Sequence, residues 1–394
     1  VSSLRARGIR AEYVNSTLRR KEREKRYAKA AEGAYEILYV TPERMDKPEF
    51  AEVVEARPGR PSPVKLLAVD EAHCISKWGH DLRPAYREVG RFRERLGRPT
   101  TIALTATATP SVRDDIRGIL GDTPDAMPLF ADLGERDNLQ LSVEEVWDDD
   151  DKVRHIRQVA DRLQGTGIVY FTLIRDLERM ADRLRAALPE RRVAVYHGQL
   201  DARDKKRVYD RFTAATPDEG LLLLATNAFG MGVDKPDIRF IIHAQVPGSV
   251  EAYYQEVGRA GRDGRPAECL LLYAQDDLAI QQEFVDWMNP PPDLLRRVVD
   301  AMAASSHADF DLEELNAELF GRKRLDPRLE YTRIALEHLD VIQPTPIRDR
   351  FRLARRLEEA DVDAEAMESK RQRDLARLLD VVKMAREGDP RRSV

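Results

Sequence analysis

Two adjacent carboxylates, Asp70 and Glu71, follow the apolar run Val64-Lys-Leu-Leu-Ala-Val69 and open the tetrapeptide Asp70-Glu71-Ala72-His73. A buried strand ending in paired carboxylates has the Walker B arrangement of a nucleotide hydrolase. Asp70 is placed to hold the Mg²⁺ that bridges the phosphates, and Glu71 to orient and deprotonate the attacking water. A second constellation lies in Tyr254-Gln-Glu-Val-Gly-Arg-Ala-Gly-Arg-Asp-Gly264. Gln255, Arg259 and Arg262 are three or four residues apart, so they project from one face of a helix start or tight turn. A forked guanidinium suits a γ-phosphate better than an ammonium does. In Ala225-Thr-Asn-Ala-Phe-Gly-Met-Gly-Val-Asp-Lys-Pro236, Gly230 and Gly232 permit close backbone approach to a ligand. Asp234 can accept a hydrogen bond from a ribose or relay to a neighbouring loop. The loop Trp78-Gly-His-Asp-Leu-Arg-Pro-Ala-Tyr86 mixes aromatic and basic side chains. Such a mixture stacks on bases without sequence preference.

These groups need rigid elements behind them. The first 120 residues alternate short apolar runs with charged helical patterns. Ile37–Val40, Leu66–Val69 and Thr101–Leu104 read as buried parallel strands. A break follows at Gly121-Asp-Thr-Pro124 and Gly134, and the acidic run Asp148 to Asp151 then starts a helix near Lys152. The alternation resumes with Gly167–Phe171, Val193–Tyr196, Leu221–Leu224, Phe240–Ile242 and Cys269–Leu272. Two successive alternations imply two doubly wound α/β lobes with a cleft between them. Beyond Pro290-Pro-Pro292 the pattern turns helical. Asp311–Phe320 and Leu329–Leu339 lead into an extended Val341-Ile-Gln-Pro344, the order of a winged helix. A last helix, Ala364 to Arg386, carries Leu375, Leu378, Leu379 and Val382 as its apolar stripe.

From residue 1 to about residue 275, motif after motif resembles the RecQ family of superfamily 2 DNA helicases. The segment Ala72-His-Cys-Ile-Ser-Lys-Trp-Gly-His-Asp-Leu-Arg-Pro-Ala-Tyr86 resembles that family's loop after its DEAH box. By that resemblance the fold is two RecA-like parallel-sheet lobes followed by a small helical, winged-helix C-terminal region. Lobe 1 is expected at 1–134, lobe 2 at 135–284, a linker at 285–308, the winged helix at 309–353 and an amphipathic helix at 354–394. The resemblance makes Glu71 and Arg262 catalytic, Arg262 being the arginine finger and Arg259 its assistant. It places Asp70, Glu71, His73, Gly232, Asp234, Gln255, Arg259 and Arg262 around ATP and Mg²⁺. Thr41, Trp78, His80, Arg83, Tyr86, His197 and Thr226 are carried over as DNA contacts. Thr41-Pro42-Glu43 and Tyr196-His197-Gly198 resemble strand-end motifs, and Thr105-Ala-Thr-Ala-Thr109 the motif that couples phosphate site to DNA track. Leu82 stands where the family usually has phenylalanine.

Composition bounds the alternatives. The chain has 394 residues, 42% hydrophobic and 34% charged, so two or three folded domains are expected. No apolar run nears membrane-spanning length and no leader pattern is present, so neither membrane nor export is expected. The only cysteines, Cys74 and Cys269, form no motif, and no zinc is expected. With a net charge of −5, DNA contact must come from local basic patches. The chain contains no Gly-x-x-x-x-Gly-Lys-Ser/Thr phosphate loop. The expectation is therefore a helicase cut short at both ends, ahead of Val1 and before a zinc subdomain, and inactive as it stands. The resemblance implies 3′–5′ unwinding of single-stranded and forked DNA in repair or recombination, in a bacterial cytoplasm at the nucleoid. A non-catalytic DNA-binding remnant is the alternative. An RNA helicase is a third reading, matched less well by the Trp78 loop and the Gly258-to-Gly264 run.

Overall fold

The computed structural model describes residues 1–15, 18–45, 47–55, 62–76, 84–121, 127–131, 136–230, 233–305, 307–345, 347 and 349–387. The chain divides into two compact units, Val1–Leu133 and Gly134–Val394.

The first unit runs α1 (Ser2–Ala6), β1 (Ala11–Val14), α2 (Arg20–Ala31), β2 (Ile37–Val40), α3 (Pro48–Val54), β3 (Leu66–Val69), α4 (Pro84–Arg87), α5 (Val89–Arg95), β4 (Thr100–Ala103) and α6 (Pro110–Leu120). Its strands pair in parallel as β1–β2 and β3–β4. The expectation of fully buried strands is corrected here. β1 is buried at three of its four positions, whereas β2, β3 and β4 turn one face onto a core that includes Val14, Tyr27, Phe50, Val69, Val89, Phe92 and Ile116. The other face stays open: Tyr39 is 51% exposed, Leu66 51% and Ile102 43%. Both faces of a parallel sheet normally carry helices. Among the described residues, β2, β3 and β4 each leave alternate side chains uncovered.

The second unit opens with β5 (Leu139–Glu145), α7 (Asp149–Arg162), β6 (Thr166–Tyr170), α8 (Ile174–Ala187), β7 (Val193–Tyr196), α9 (Ala202–Ala214), β8 (Leu222–Ala225), β9 (Ile238–His243), α10 (Val250–Val257), β10 (Ala267–Tyr273) and α11 (Asp277–Met288). The sheet order is β5-β10-β9-β6-β8-β7, every pairing parallel. Separate apolar clusters cover its two faces, one around Ile168, Phe229 and Tyr253 and the other around Val169, Leu177 and Phe240. The acidic run starts α7 as expected. Asp148 caps the helix by accepting from the Asp151 amide at 2.8 Å, and Asp149, Asp150 and Asp151 fill a first turn that favours negative charge.

The segment expected as a linker, 285–308, is structured. It holds the end of α11 and all of α12 (Pro292–Ala304), whose Leu294, Leu295, Val298, Val299 and Met302 are buried. They pack with α13 (Leu312–Phe320), α14 (Arg328–His338) and the antiparallel hairpin β11 (Ile342–Pro344)–β12 (Phe351–Leu353). Three helices and a hairpin give the element order of a winged helix.

The last helix, α15 (Ala364–Glu387), returns to the lobe. Its buried stripe is Leu378, Val381, Met384 and Ala385, rotated from the expected one, while Leu379 is 53% exposed. Val381, Met384 and Ala385 share a core with Tyr253 and Val257 of α10, and the Lys370 ammonium reaches the Asn289 side chain after α11 at 2.7 Å. The module of residues 292–353 therefore sits in the chain between α11 and α15, two elements of the same platform.

Candidate nucleotide and DNA site

In the first unit the site is built where β3 ends. The amide of Leu104 donates to the Val69 carbonyl at 2.8 Å and that of Ala72 to the Leu104 carbonyl at 2.9 Å. These bonds carry the β3–β4 pairing past both strand ends and lay Thr105 beside His73. Between them the chain must bend, and Glu71 takes the left-handed conformation at φ 50° and ψ 43°. For a side-chain-bearing residue that costs on the order of 1–3 kcal/mol, and such strain concentrates at functional sites. Asp70 accepts from the Glu71 amide at 2.9 Å and is otherwise open to solvent.

Behind the carboxylates His73 is buried. Its Nδ1 lies 3.0 Å from the Thr105 hydroxyl and 3.4 Å from a Glu71 carboxylate oxygen. The single Thr105 hydroxyl proton goes to the Thr107 carbonyl at 2.9 Å, so His73 Nδ1 carries the proton and donates. Glu71, His73 and Thr105 thus form one connected chain. Three residues beyond His73, the fully buried Ser76 hydroxyl donates to Asp115 of α6 at 2.7 Å. Asp115 was absent from the sequence reading, because nothing local marks a partner 39 positions away.

In the second unit the arginines sit on the turn after α10. Arg259 donates to the Gly230 carbonyl, and Arg262 to that of Val233 at 2.9 Å, with the Asp234 carboxylate 3.7 Å away. The approach is close at Gly230: a Cβ there would lie 3.1 Å from the Arg259 guanidinium and from the Asn227 carbonyl. Gly261 is left-handed at φ 53°, and its carbonyl accepts from Arg136 at 2.7 Å and from Asn138 at 2.8 Å. Asn138 also donates to the Arg265 carbonyl at 2.8 Å. Arg136 and Asn138, some 120 positions earlier in the chain, so clamp the arginine turn, and no motif announced them.

A buried polar link lies beneath it. His243 Nε2 meets the Glu256 carboxylate at 2.7 Å, its ring stacks on Tyr170, and the Tyr170 hydroxyl donates to the Phe229 carbonyl at 3.0 Å. Burial, together with the nearby Glu256, pushes the Tyr170 hydroxyl pKa far above its usual value, so it remains a donor at any ordinary pH.

The remaining candidates divide as follows. Thr41 stands at the end of β2, opening the turn Pro42–Arg44. Thr226 is buried, its amide bonded to the Tyr196 carbonyl at 3.2 Å. His197 is buried with Glu178 3.5 Å away. Gln255 lies on α10 within the same segment as the arginines, and Tyr86 packs on the first unit's core. Trp78, His80, Arg83 and Gly232 lie outside the described residues. Asp70, Glu71, His73 and Thr41 belong to the first unit, and Asp234, Gln255, Arg259, Arg262, His197 and Thr226 to the second.

Residues 1–116 match the family model of the DEAD/DEAH box helicase, and residues 151–264 that of the helicase conserved C-terminal domain. The ATP-dependent DNA helicase RecQ of Bacillus subtilis is 38% identical over 334 residues, which are 83% of this chain and 53% of that protein. RecQ of Haemophilus influenzae is 34% identical over 287 residues, 72% of this chain and 44% of its own length. The chain belongs to the RecQ family of helicases. It spans about half the length of these RecQ relatives. The fold is also that of more distant helicases. Mycobacterium smegmatis Lhr bound to ssDNA and AMP-PNP aligns at 18% identity with a TM-score of 0.52, over 89% of this chain and 49% of Lhr. The DUF1998 helicase MrfA bound to DNA aligns at 17% identity and a TM-score of 0.52, over 88% and 47%. No described helix is long and apolar enough to cross a membrane.

Proposed function

We propose that this chain is the motor part of an ATP-dependent DNA helicase of RecQ type, translocating 3′–5′ and serving DNA repair or recombination. The observation that carries the reading is the chain Glu71–His73–Thr105. It connects a strained, water-facing carboxylate to the threonine-rich segment that in this family couples hydrolysis to DNA. Glu71 takes the proton of the attacking water, and Arg262, with Arg259, stabilises charge on the transferring phosphate. Asp70 offers a single open carboxylate, which fits a Mg²⁺ ligated mainly by nucleotide phosphates and water. When bound, that ion neutralises charge between the phosphates. Arg259 and Arg262 rest on the Gly230 and Val233 carbonyls, so engaging a phosphate means exchanging neutral acceptors for charged ones, a stronger bond. Single-stranded and forked DNA are the proposed partners, with Thr41, Trp78, His80, Arg83, Tyr86, His197 and Thr226 along the track.

Residues 1–394 contain no lysine of a phosphate loop to neutralise the β- and γ-phosphates, and we propose that their own ATP hydrolysis is near background. Robust turnover by these residues with single-stranded DNA would refute that part. In a chain carrying a phosphate loop ahead of Val1, Glu71→Gln keeps ATP and DNA binding but abolishes hydrolysis. Arg262→Ala lowers hydrolysis by roughly 10³-fold or more. Wild-type rates in both variants would move the catalytic assignment elsewhere. A non-catalytic DNA-binding remnant, the second reading, predicts DNA binding with no rate gain from the added loop.

A further inference from the structure

The sheet of the second unit ends at β7, and that edge is open. β6 and β8 are buried at every position, whereas every residue of β7 is half-buried. β7 pairs on one side only, in parallel with β8, Ala194 lying opposite Leu223 and Tyr196 opposite Ala225. The amide of Leu222 donates to the Arg192 carbonyl at 2.9 Å and that of Thr226 to the Tyr196 carbonyl at 3.2 Å. In a parallel strand a residue turns its amide and carbonyl to the same neighbour, and the next residue turns both the other way. Arg192, Ala194 and Tyr196 therefore face β8, while Val193 and Val195 present their backbone groups outward. Among the described residues, no group bonds to these outward amides and carbonyls.

A groove runs beside this edge, with a cavity of about 230 Å³. Ala194, Val195 and Leu200 form its floor, and α9 lines its wall with Val208 between Arg207 and Arg211. Arg207 lies 3.0 Å from Asp204, the one carboxylate in the lining. Arg211 is exposed, and its side chain makes no hydrogen bond or ion pair with the described residues. The groove is therefore apolar below and keeps an uncompensated positive charge on its rim. Side chains alternate along a strand, so a strand added to β7 sends every second side chain into the groove. An aliphatic group there fills the floor, and a carboxylate two residues away meets Arg211. Two other occupants fit less well. A second copy pairing edge to edge would bring two α9 helices rich in lysine and arginine together. A phosphodiester backbone has no donor for the outward carbonyls.

We propose that the β7 edge is a docking site for an extended acidic and aliphatic segment of a partner protein, added to the sheet as a strand beyond β7. The backbone ladder to Val193 and Val195 supplies affinity, and the groove selects an aliphatic side chain with a carboxylate two positions from it. Docking there needs neither nucleotide nor phosphate loop, so it stands independently of the helicase reading.

The probe is a short labelled peptide that alternates threonine with, in turn, aspartate and isoleucine. Binding to residues 1–394 is read by fluorescence anisotropy, and amide hydrogen exchange along β7 by NMR, with a melting temperature for every variant. In the free chain the Val193 and Val195 amides should exchange fast while those of Ala194 and Tyr196 are protected. With peptide, all of them should be protected. Arg211→Glu should weaken binding ~10-fold, and a peptide with lysine in place of aspartate should then bind better than the original. Arg157→Ala with Arg185→Ala, exposed on other helices, should change nothing. Val195→Pro removes an outward amide and no bond to β8, a change an edge strand accepts, and should weaken the peptide. The same point is tested without touching the fold: N-methylation of one alternate set of peptide amides should abolish binding, and of the other set should spare it. A peptide that fails to bind, or that binds regardless of N-methylation or of Arg211→Glu, overturns the proposal. Protection of Val193 and Val195 in the free chain overturns it too, meaning a covered edge if constant and a second copy if it rises with concentration. Protection of the same amides by a single-stranded oligonucleotide in place of the peptide would assign the edge to nucleic acid instead.

Discussion

The two α/β units hold their charged groups by different means. In the second unit the six-stranded sheet is closed on both faces, and the arginine turn hangs from a solid frame through Arg136, Asn138 and the His243–Glu256 link. In the first, paired strands leave Tyr39, Leu66, Ile102 and Leu104 exposed, and Glu71 is placed by short-range bonds at the strand ends. Position in the second unit comes from burial, which is non-directional and large. Position in the first comes from a few directional contacts around a strained residue. Substitutions of similar type should therefore have very different costs in the two sheets.

The largest expected effect is Phe240→Ala, at about 3–5 kcal/mol of second-unit stability, because a fully buried ring would leave a cavity between β9 and α8. Urea unfolding monitored in each unit would measure it, and a cost near zero would break the comparison. Next is Lys152→Met. Lys152 and Asp277 form a buried pair at 2.9 Å, and burial holds the Asp277 carboxyl above its ordinary pKa even with Lys152 opposing. Removing the lysine alone should cost about 3–5 kcal/mol, and adding Asp277→Leu should recover most of it. A raised folded pKa means stability that is present below the unfolded value and lost as pH rises. The single variant should thus be most stable below pH ~4 and weaken toward neutrality, as melting across pH would report.

Gly167→Ala is the sharper probe of packing. A Cβ there would lie 2.1 Å from the edge of the Phe240 ring, so about 1–3 kcal/mol should be lost without removing any contact. Calorimetry of the variant would show it, and Gly167→Ala combined with Phe240→Leu should regain part of the loss. The smallest effect is expected on the open face of the first unit. Ile102→Thr should change stability by no more than ~0.5 kcal/mol, since that side chain is 43% exposed. A loss matching Phe240→Ala would mean that this face is covered in solution, and the contrast between units would collapse.

Several features were legible from residue order alone, because they are local. The carboxylate pair after an apolar strand, the Gly-rich arginine turn and the strand–helix alternation all lie within short windows whose periodicity carries the signal. The acidic start of α7 was readable for the same reason: a cap and its first turn are neighbours. Where a residue's meaning depends on what packs against it, the sequence was silent or misleading. Apolar β3 and β4 read as buried because covered and uncovered faces look alike in a string. On α15 the 3.6-residue period allowed more than one stripe, and docking against α10 and α11 chose Val381 and Met384 over Leu379.

What the sequence determined by itself was the chemistry on offer: Asp70 and Glu71 on one unit, Arg259 and Arg262 on the other, each at the end of a short motif. Tertiary structure alone decided the left-handed turn at Glu71, the Thr105 hydroxyl opposite His73, the Asn138 clamp on Gly261 and the pairing with β8 that turns Val193 and Val195 outward. Most of these join residues far apart in sequence. Bonds closed across long loops leave no trace in local pattern, because the only requirement they impose is that one side chain be there when the fold brings its partner within hydrogen-bond reach.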